Sequence, residues 1–229
     1  MLHGFLPGIL EGMIVTLTVA IASLAIALLL GLAGAAARLS ASRLASGIAT
    51  FYTTVIRGVP DLVLMLLIFY GGQVLVNDLA PKLGFEDYID INPFIAGVLT
   101  IGFIFGAYLT ETFRGALLAI PPGQREAGLA FGMSRALIFR RVTLPQMVRF
   151  ALPGFSNNWL VLVKSTALVS VIGLNDMMLR AGQAAGSTRE PFTFYLAAAA
   201  LYLAITTVSV VLLGALERRY ALGVKAAVL

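Results

Sequence analysis

The chain has 229 residues, of which 59% are hydrophobic and only 12% are charged, and its mean hydropathy is +0.95. These values exclude a soluble globular protein and indicate an integral membrane protein. The formal net charge of +5 would suggest nucleic acid or an acidic partner for a soluble chain, but in a membrane protein the positions of the cations matter more than their sum. Cysteine is absent, which excludes a disulfide framework.

Five apolar segments are long enough to cross a bilayer, because about 20 helical residues at about 1.5 Å each span its hydrocarbon core. They cover about 9–37, 44–76, 93–118, 151–175 and 191–216. No connecting loop is long enough for a soluble domain, and no internal repeat is detectable. The sequence therefore predicts an all-α integral membrane protein with five transmembrane helices in a single domain, 1–229.

The start of the first segment allows two interpretations. Gly4, Gly8 and Gly12 recur every four residues, which is typical of a face that packs closely against another helix. Alternatively, this short stretch lies flat on the outer surface of the membrane. We expect the second arrangement.

The second segment is interrupted by Arg57, Pro60 and Asp61. Proline removes one backbone hydrogen bond, so this span is expected to be long and kinked. Arg57 and Asp61 are four residues apart, and on one helix they would face each other on the same side.

Charged residues also occur in the third segment, as Glu111 and Arg114, and in the fourth, as Lys164. An ion in hydrocarbon is costly, so such residues usually face a partner or a water-filled path. The alternative is that Arg57 with Asp61, and Glu111 with Arg114, only neutralise each other near the membrane surfaces. Lys164 has no partner on its own helix, so it either extends to the interface or reaches an acid on a neighbouring span.

A polar, arginine-rich stretch between the third and fourth segments predicts two short helices joined by a corner. The first helix covers Gln124–Phe131, and Gly132 ends it in the left-handed conformation. Ser134 then caps a second helix over Arg135–Val142. We expect Pro145 to stop that helix, since proline has no N–H group to donate.

Two roles fit this hairpin. Its arginines favour an amphipathic pair lying on the lipid interface. The other role is docking to a soluble partner, because Ala127, Ala130 and Phe131 share one helix face while Arg125 and Glu126 point elsewhere. The residues alone leave both roles open.

The basic residues are distributed unequally between the two sides of the membrane. One side carries ten cations, which are Arg38, Arg43, Arg125, Arg135, Arg140, Arg141, Arg149, Arg218, Arg219 and Lys225. The other side carries three, which are Lys82, Arg180 and Arg189. Cytoplasmic loops are enriched in Lys and Arg, so we expect the hairpin and the C-terminus in the cytoplasm and the N-terminus outside.

No catalytic constellation is visible. A single histidine and no cysteine exclude common metal sites, and no phosphate-binding G-x-x-x-x-G-K-[ST] motif occurs. We therefore expect a protein that is not an enzyme and that binds no cofactor or metal itself. If it transports a solute uphill, the energy must come from another subunit.

The hairpin resembles the EAA loop of bacterial ABC importer permeases. That motif reads EAA, three residues, G, nine residues, I, one residue, LP, and the matching residues are Glu126, Ala127, Gly132, Val142, Leu144 and Pro145. Gly128 replaces the usual third alanine, and Val142 replaces the usual isoleucine. Gly128 is expected to loosen the first short helix by about 1 kcal/mol relative to alanine.

Three further segments resemble the polar amino acid permeases, especially the first membrane subunit of the histidine/lysine/arginine/ornithine importers. They are RGVPDLVLMLLIFYG from Arg57, GAYLTETFRGALLAIPPGQ from Gly106 and NNWLVLVKSTALVSVIGL from Asn157. The resemblance covers nearly the whole chain. It implies a type I ABC importer permease fold in the bacterial inner membrane, with a cytoplasmic coupling-helix loop over about 121–146.

The resemblance also implies partners and roles. The partners would be a second homologous permease, an ATPase dimer that holds ATP and Mg, and an extracytoplasmic amino-acid-binding protein. The coupling residues would be Glu126, Ala127, Gly128, Gly132, Leu144 and Pro145. The substrate, a polar and in particular a basic amino acid, would pass between the two permeases near Arg57, Asp61, Glu111, Arg114 and Lys164. Closely similar permeases carry opines, which is the alternative substrate class.

Two other classes of protein are weaker alternatives. A gradient-driven secondary transporter or channel would usually show many more spans or an inverted repeat. A membrane anchor without transport activity would not need Asp61, Glu111 and Lys164 within its spans.

Overall fold

The computed structural model describes residues 4–85 and 87–220. Within those ranges the chain is helical, without β-strands. The α-helices are α1 (Leu6–Arg38), α2 (Arg43–Gly58), α3 (Asp61–Leu79), α4 (Pro93–Leu118), α5 (Pro122–Ala130), α6 (Arg135–Ile138), α7 (Leu144–Ser165), α8 (Met177–Thr188) and α9 (Pro191–Tyr220). Short 3₁₀ turns follow α3 at Ala80–Leu83 and α7 at Thr166–Ile172, and a π turn, Phe139–Thr143, joins α6 to α7.

Five helical stretches of the described chain are long and apolar enough to cross a membrane. They are Leu6–Arg38, Asp61–Leu83, Pro93–Leu118, Arg135–Ile172 and Pro191–Tyr220. The prediction of five spans is confirmed. α4 is the most buried of them and lies at the centre of the bundle, where it packs against α1, α2, α3 and α7.

The apolar core surrounds α4 and includes the sides of the neighbouring helices that face it. Ile101, Ile104, Phe105 and Leu109 are almost completely buried there. The long faces of α9 remain exposed, as expected for a helix that meets lipid or another subunit.

The start of α1 differs from our expectation of a segment lying flat on the surface. The helix begins at Leu6 and continues without interruption to Arg38. Gly12 lies directly against the beginning of α8, since a Cβ atom at this position would be 2.7 Å from the carbonyl oxygen of Asp176. The close-packing interpretation therefore holds for Gly12, and the flat arrangement is wrong.

The second predicted span, 44–76, is not one kinked helix. Val59 and Pro60 adopt extended ψ angles of 138° and 136°, which end α2 and allow α3 to begin at Asp61. Pro60 disfavours the helical conformation of the residue before it. The break lets α2 pack against α1 and α4, while α3 packs against α4 and the 3₁₀ turn after α7. Arg57 and Asp61 consequently lie on different helices, and their predicted pairing along one helix is wrong.

Candidate coupling hairpin and translocation cleft

The local structure of the hairpin agrees with the sequence prediction. α5 starts with Pro122 in its first turn, where a missing N–H group costs nothing. Gly132 has a φ angle of +73°, the left-handed conformation that glycine adopts without strain. The Ser134 hydroxyl accepts a hydrogen bond from the Leu137 amide at 3.3 Å, which caps α6.

The end of the hairpin differs from the prediction that Pro145 stops the second helix. α6 passes through the π turn into α7, and Pro145 lies in the first turn of α7. Proline within a helix clashes with the carbonyl group four residues earlier. The wider π turn, whose hydrogen bonds span five residues, accommodates the ring, so the chain continues as a helix into the membrane.

The hairpin exposes apolar side chains at its corner. Phe131 is 87% exposed and Leu129 is 56% exposed, while Glu126 and Ala127 are exposed beside them. Gly128 is instead buried under α6, and a Cβ atom there would lie 2.9 Å from Cγ1 of Ile138. Glycine in place of the motif's alanine thus allows α5 and α6 to pack closely. Leu144 and Pro145, partly exposed, start the helix that carries the hairpin back to the bundle.

A cavity beside the hairpin combines positive charge with apolar walls. It measures about 530 Å³, and it is lined by Leu117, Arg125, Leu129, Arg135, Ile138, Phe139 and Thr143. Such a surface suits a partner with an acidic edge and apolar side chains.

A second cavity, which we call the charged cleft, lies where α1, α2 and α4 meet. Its volume is about 400 Å³, and it is lined by Arg38, Thr53, Thr54, Arg57, Gly58, Tyr108 and Glu111. Two of the five predicted path residues, Arg57 and Glu111, therefore share one cleft.

Glu111 is held by two guanidinium groups. Nε of Arg38 lies 3.2 Å from Oε1 of Glu111, and Arg114 binds Oε2 through Nη2 at 2.8 Å and Nε at 2.9 Å. The pairing of Glu111 with Arg114, which the sequence left open as an alternative, is present in the structure. The contribution of Arg38 was missed, because Arg38 is 73 residues away in sequence.

Arg57 and Asp61 lie on opposite sides of the helix break. The guanidinium of Arg57 stacks over the ring of Tyr108, 5.4 Å from its centroid. Asp61, at the N-terminus of α3, accepts a hydrogen bond from the Ser165 hydroxyl at 3.4 Å. Tyr108 lies within electrostatic range of both charges. The spacing of three residues between Tyr108 and Glu111 was a usable signal that both face the same cleft.

Lys164 lies elsewhere. It lines a cavity of about 500 Å³ with Ala167, Met178, Tyr195, Ala199, Tyr202, Leu203 and Thr206. Within the described parts of the chain, Lys164 forms no ion pair, so of its two possibilities the contact with an acid on a neighbouring span is not found among them.

Apolar spanning helices around a charged internal cleft, with a polar hairpin at one end, define a membrane permease. The family comparison makes this specific. The chain belongs to the family described as binding-protein-dependent transport system inner membrane component, whose model matches residues 27–222. A multi-pass protein of the inner membrane is thereby confirmed.

Individual relatives extend this match to the whole chain. A histidine/lysine/arginine/ornithine transport system permease protein, HisQ of Escherichia coli (strain K12), is 53% identical over 227 residues, which cover 99% of each chain. An octopine transport system permease protein, OccQ of Rhizobium radiobacter, is 46% identical over 85% of this chain and 82% of its own length.

A solved structure shows the same fold. A chain in the crystal structure of an amino acid ABC transporter with histidines superimposes with a TM-score of 0.80 at 33% identity, over 94% of this chain and 95% of that one. The predicted all-α, five-span type I permease fold is confirmed.

Proposed function

We propose that this protein is a membrane subunit of an ATP-driven importer of basic amino acids. The observation that carries the proposal is the pair of charges at the helix break, Arg57 and Asp61, which both lie within electrostatic range of Tyr108. An amino acid presents a carboxylate and an ammonium group, so its site needs a donor at one end and an acid at the other. Discontinuous helices supply such sites in membrane transporters.

Arg57 and Asp61 suit this role better than Glu111 does. Two arginines already neutralise Glu111. Within residues 4–85 and 87–220, neither Arg57 nor Asp61 has an ion-pair partner. Charges left unpaired in a membrane protein are costly, and a bound amino acid would supply both missing counter-charges. Glu111 then positions Arg38 at the wall of the cleft and pairs with Arg114 on its own helix.

Arg57 would bind the α-carboxylate, and Asp61 would bind the cationic end of the substrate. The names of the relatives support a basic substrate, since HisQ belongs to a histidine/lysine/arginine/ornithine system. The opine alternative is supported by the 46% identity to the octopine permease. Lys164 does not line the cleft. Its predicted place on the substrate path would therefore require that the path also follow the side of α7 on which Lys164 lies.

The coupling hairpin supplies the contact with the energy source. Its exposed apolar corner, at Leu129 and Phe131, and its exposed acid, Glu126, form a docking surface for one subunit of an ATPase dimer. ATP and Mg would be held by that ATPase, since the sequence lacks a phosphate loop of the G-x-x-x-x-G-K-[ST] type. A second homologous permease would complete the passage, and an extracytoplasmic binding protein would deliver the amino acid.

Reconstitution tests this function directly. The chain is co-expressed with a second homologous permease and an ATPase of the same organism, purified, and placed in vesicles with the binding protein outside. We expect ATP hydrolysis to rise when the binding protein carries arginine, histidine or lysine, and labelled arginine to enter the vesicles. Uptake without any ATPase, driven by an ion gradient, would contradict the proposal and favour a secondary transporter.

The ten-to-three cation asymmetry predicts the orientation. A reporter that is active only outside the cytoplasm should work when inserted after Asp87, in the loop between α3 and α4, and should be silent after Leu229. The opposite pattern would reverse the orientation and remove the hairpin from the cytoplasm. A cytoplasm-active reporter at the same two positions is the control for expression.

A further inference from the structure

Asp176 is a fully buried carboxyl group that plays no part in the cleft or the hairpin. It precedes α8, and its side chain has 0% exposure. One oxygen, Oδ1, accepts a hydrogen bond from the Leu179 amide at 2.8 Å and so caps α8. The other oxygen, Oδ2, is buried and has no hydrogen-bond partner among residues 4–85 and 87–220.

The groups around Asp176 come from three neighbouring elements. On α9, the buried hydroxyl of Tyr202 lacks a hydrogen-bond partner of normal geometry and lies within electrostatic range of Asp176. On α1, the Thr16 hydroxyl accepts from the Met177 amide at 3.2 Å. Thr16 and Thr166, the latter in the 3₁₀ turn after α7, both adjoin Tyr202. These residues form a polar cluster enclosed by α1, α8, α9 and that turn.

Among the residues that the structure describes, no charge near this cluster neutralises Asp176. On α8, Arg180 donates to Glu11 of α1 at 2.7 Å, so these two ions satisfy each other. On α7, Lys164 lines the cavity that Tyr202 also borders, but it makes no ion pair with Asp176. An ionised carboxylate with an unpaired buried oxygen is costly, whereas its protonated form carries no charge.

We propose that the Asp176 carboxyl group is a proton-binding site that links the packing of α1, α8 and α9 to pH. The proton would reside on Oδ2, leaving Oδ1 to cap α8. The close approach of α1 to this site supports the assignment, because Gly12 packs on the Asp176 backbone and leaves no room for a neutralising side chain there. This proposal does not depend on which substrate is carried.

The direction of the pH effect follows from burial. Burial raises the pKa of Asp176 from 3.8 to about 6, although the amide of Leu179 acts in the opposite sense. The folded state therefore binds the proton more tightly than the unfolded state does. The resulting stabilisation is fully present below pH 3.8 and is lost as the pH rises through about 6.

Thermal unfolding of the purified protein tests the proposal. The melting temperature is measured from about pH 4 to about pH 8 for the wild type, Asp176→Asn and Asp90→Asn. Asparagine is nearly isosteric and keeps an oxygen for the Leu179 amide, whereas Asp90 is an exposed carboxyl on the same chain. We expect the melting temperature of the wild type and of Asp90→Asn to fall relative to Asp176→Asn as the pH rises. Equal slopes for all three proteins would overturn the proposal.

Infrared spectroscopy decides the matter if Asp176→Asn does not fold. The protein is labelled with ¹³C at the aspartate carboxyl group in an Asp61→Asn background, which removes the aspartate at the start of α3. A protonated-carboxyl band that disappears as the pH rises through about 6 is the expected result. If that background shows no such band near pH 5, Asp176 is ionised and the proposal is wrong.

Discussion

Gly132→Asp is expected to abolish the stimulation of ATP hydrolysis by the loaded binding protein, while the variant still inserts into the membrane. Gly132 has φ +73°, where a side chain costs about 1–2 kcal/mol. A Cβ atom there would touch nothing within 4 Å among the described residues, so the fold itself has room for the change. The new carboxylate would instead project from the corner that exposes Phe131, and it would meet the ATPase surface. The measurement is ATP hydrolysis by the purified complex together with the amount of ATPase that co-purifies.

Two matched variants separate the causes. Gly132→Asn has nearly the same size and tolerates the left-handed conformation, so it should retain more stimulation than Gly132→Asp does. Gly123→Asp places the same carboxylate in the first turn of α5, where a negative charge is favourable and where a Cβ atom would also touch nothing within 4 Å. We expect it to be nearly neutral. Normal stimulation in Gly132→Asp would leave the hairpin as an amphipathic pair on the lipid surface.

The corner of the hairpin was predictable because its determinants are local. Gly132 forms the corner through its positive φ angle, and Ser134 caps the amide three residues later. Both effects act over less than two helical turns. The number of spans was equally accessible, since hydrophobic length is a property of each segment alone. Both predictions needed no knowledge of which helices are neighbours.

The errors arose where packing between distant segments decides the outcome. Pro60 ends a helix and Pro145 does not, although both are prolines within helical patterns. At Pro60 the helix breaks, because α2 packs against α1 and α4 while α3 packs against α4 and the 3₁₀ turn after α7. The burial of both helices stabilises the break. At Pro145, a π turn absorbs the ring and preserves the helix. The same limitation hid the ion pair of Arg38 with Glu111 and the burial of Asp176.

Asp61 and Glu111 have different partners, so we expect their neutral variants to have different phenotypes. Glu111→Gln leaves the guanidinium groups of Arg38 and Arg114 without their shared partner, which is costly in a partly buried site. We expect this variant to lower the melting temperature of the protein and to reduce its assembly with the other subunits. Asp61 holds only a hydroxyl group, that of Ser165, so its neutral variant should fold and assemble normally.

Asp61→Asn is expected to reduce arginine, lysine and histidine uptake by about 10-fold to 100-fold. A hydrogen bond to a charged group contributes about 1.5–3 kcal/mol, and each 1.4 kcal/mol corresponds to about a factor of ten in affinity. The measurement is uptake of labelled amino acids into vesicles that contain the assembled complex, with ATP hydrolysis in the absence of substrate as the control for folding. Asp78→Asn, an exposed acid at the other end of α3, is the matched control and should transport normally.

The comparison of substrates makes the result specific to Asp61. If its carboxylate binds the cationic end of the substrate, then uptake of a neutral analogue such as citrulline should fall less in Asp61→Asn than uptake of arginine does. Arg57→Gln should reduce both equally, because the α-carboxylate that it binds is common to both molecules. Wild-type rates of arginine uptake in Asp61→Asn would place the binding site in the second permease and leave Asp61 with a structural role at the start of α3.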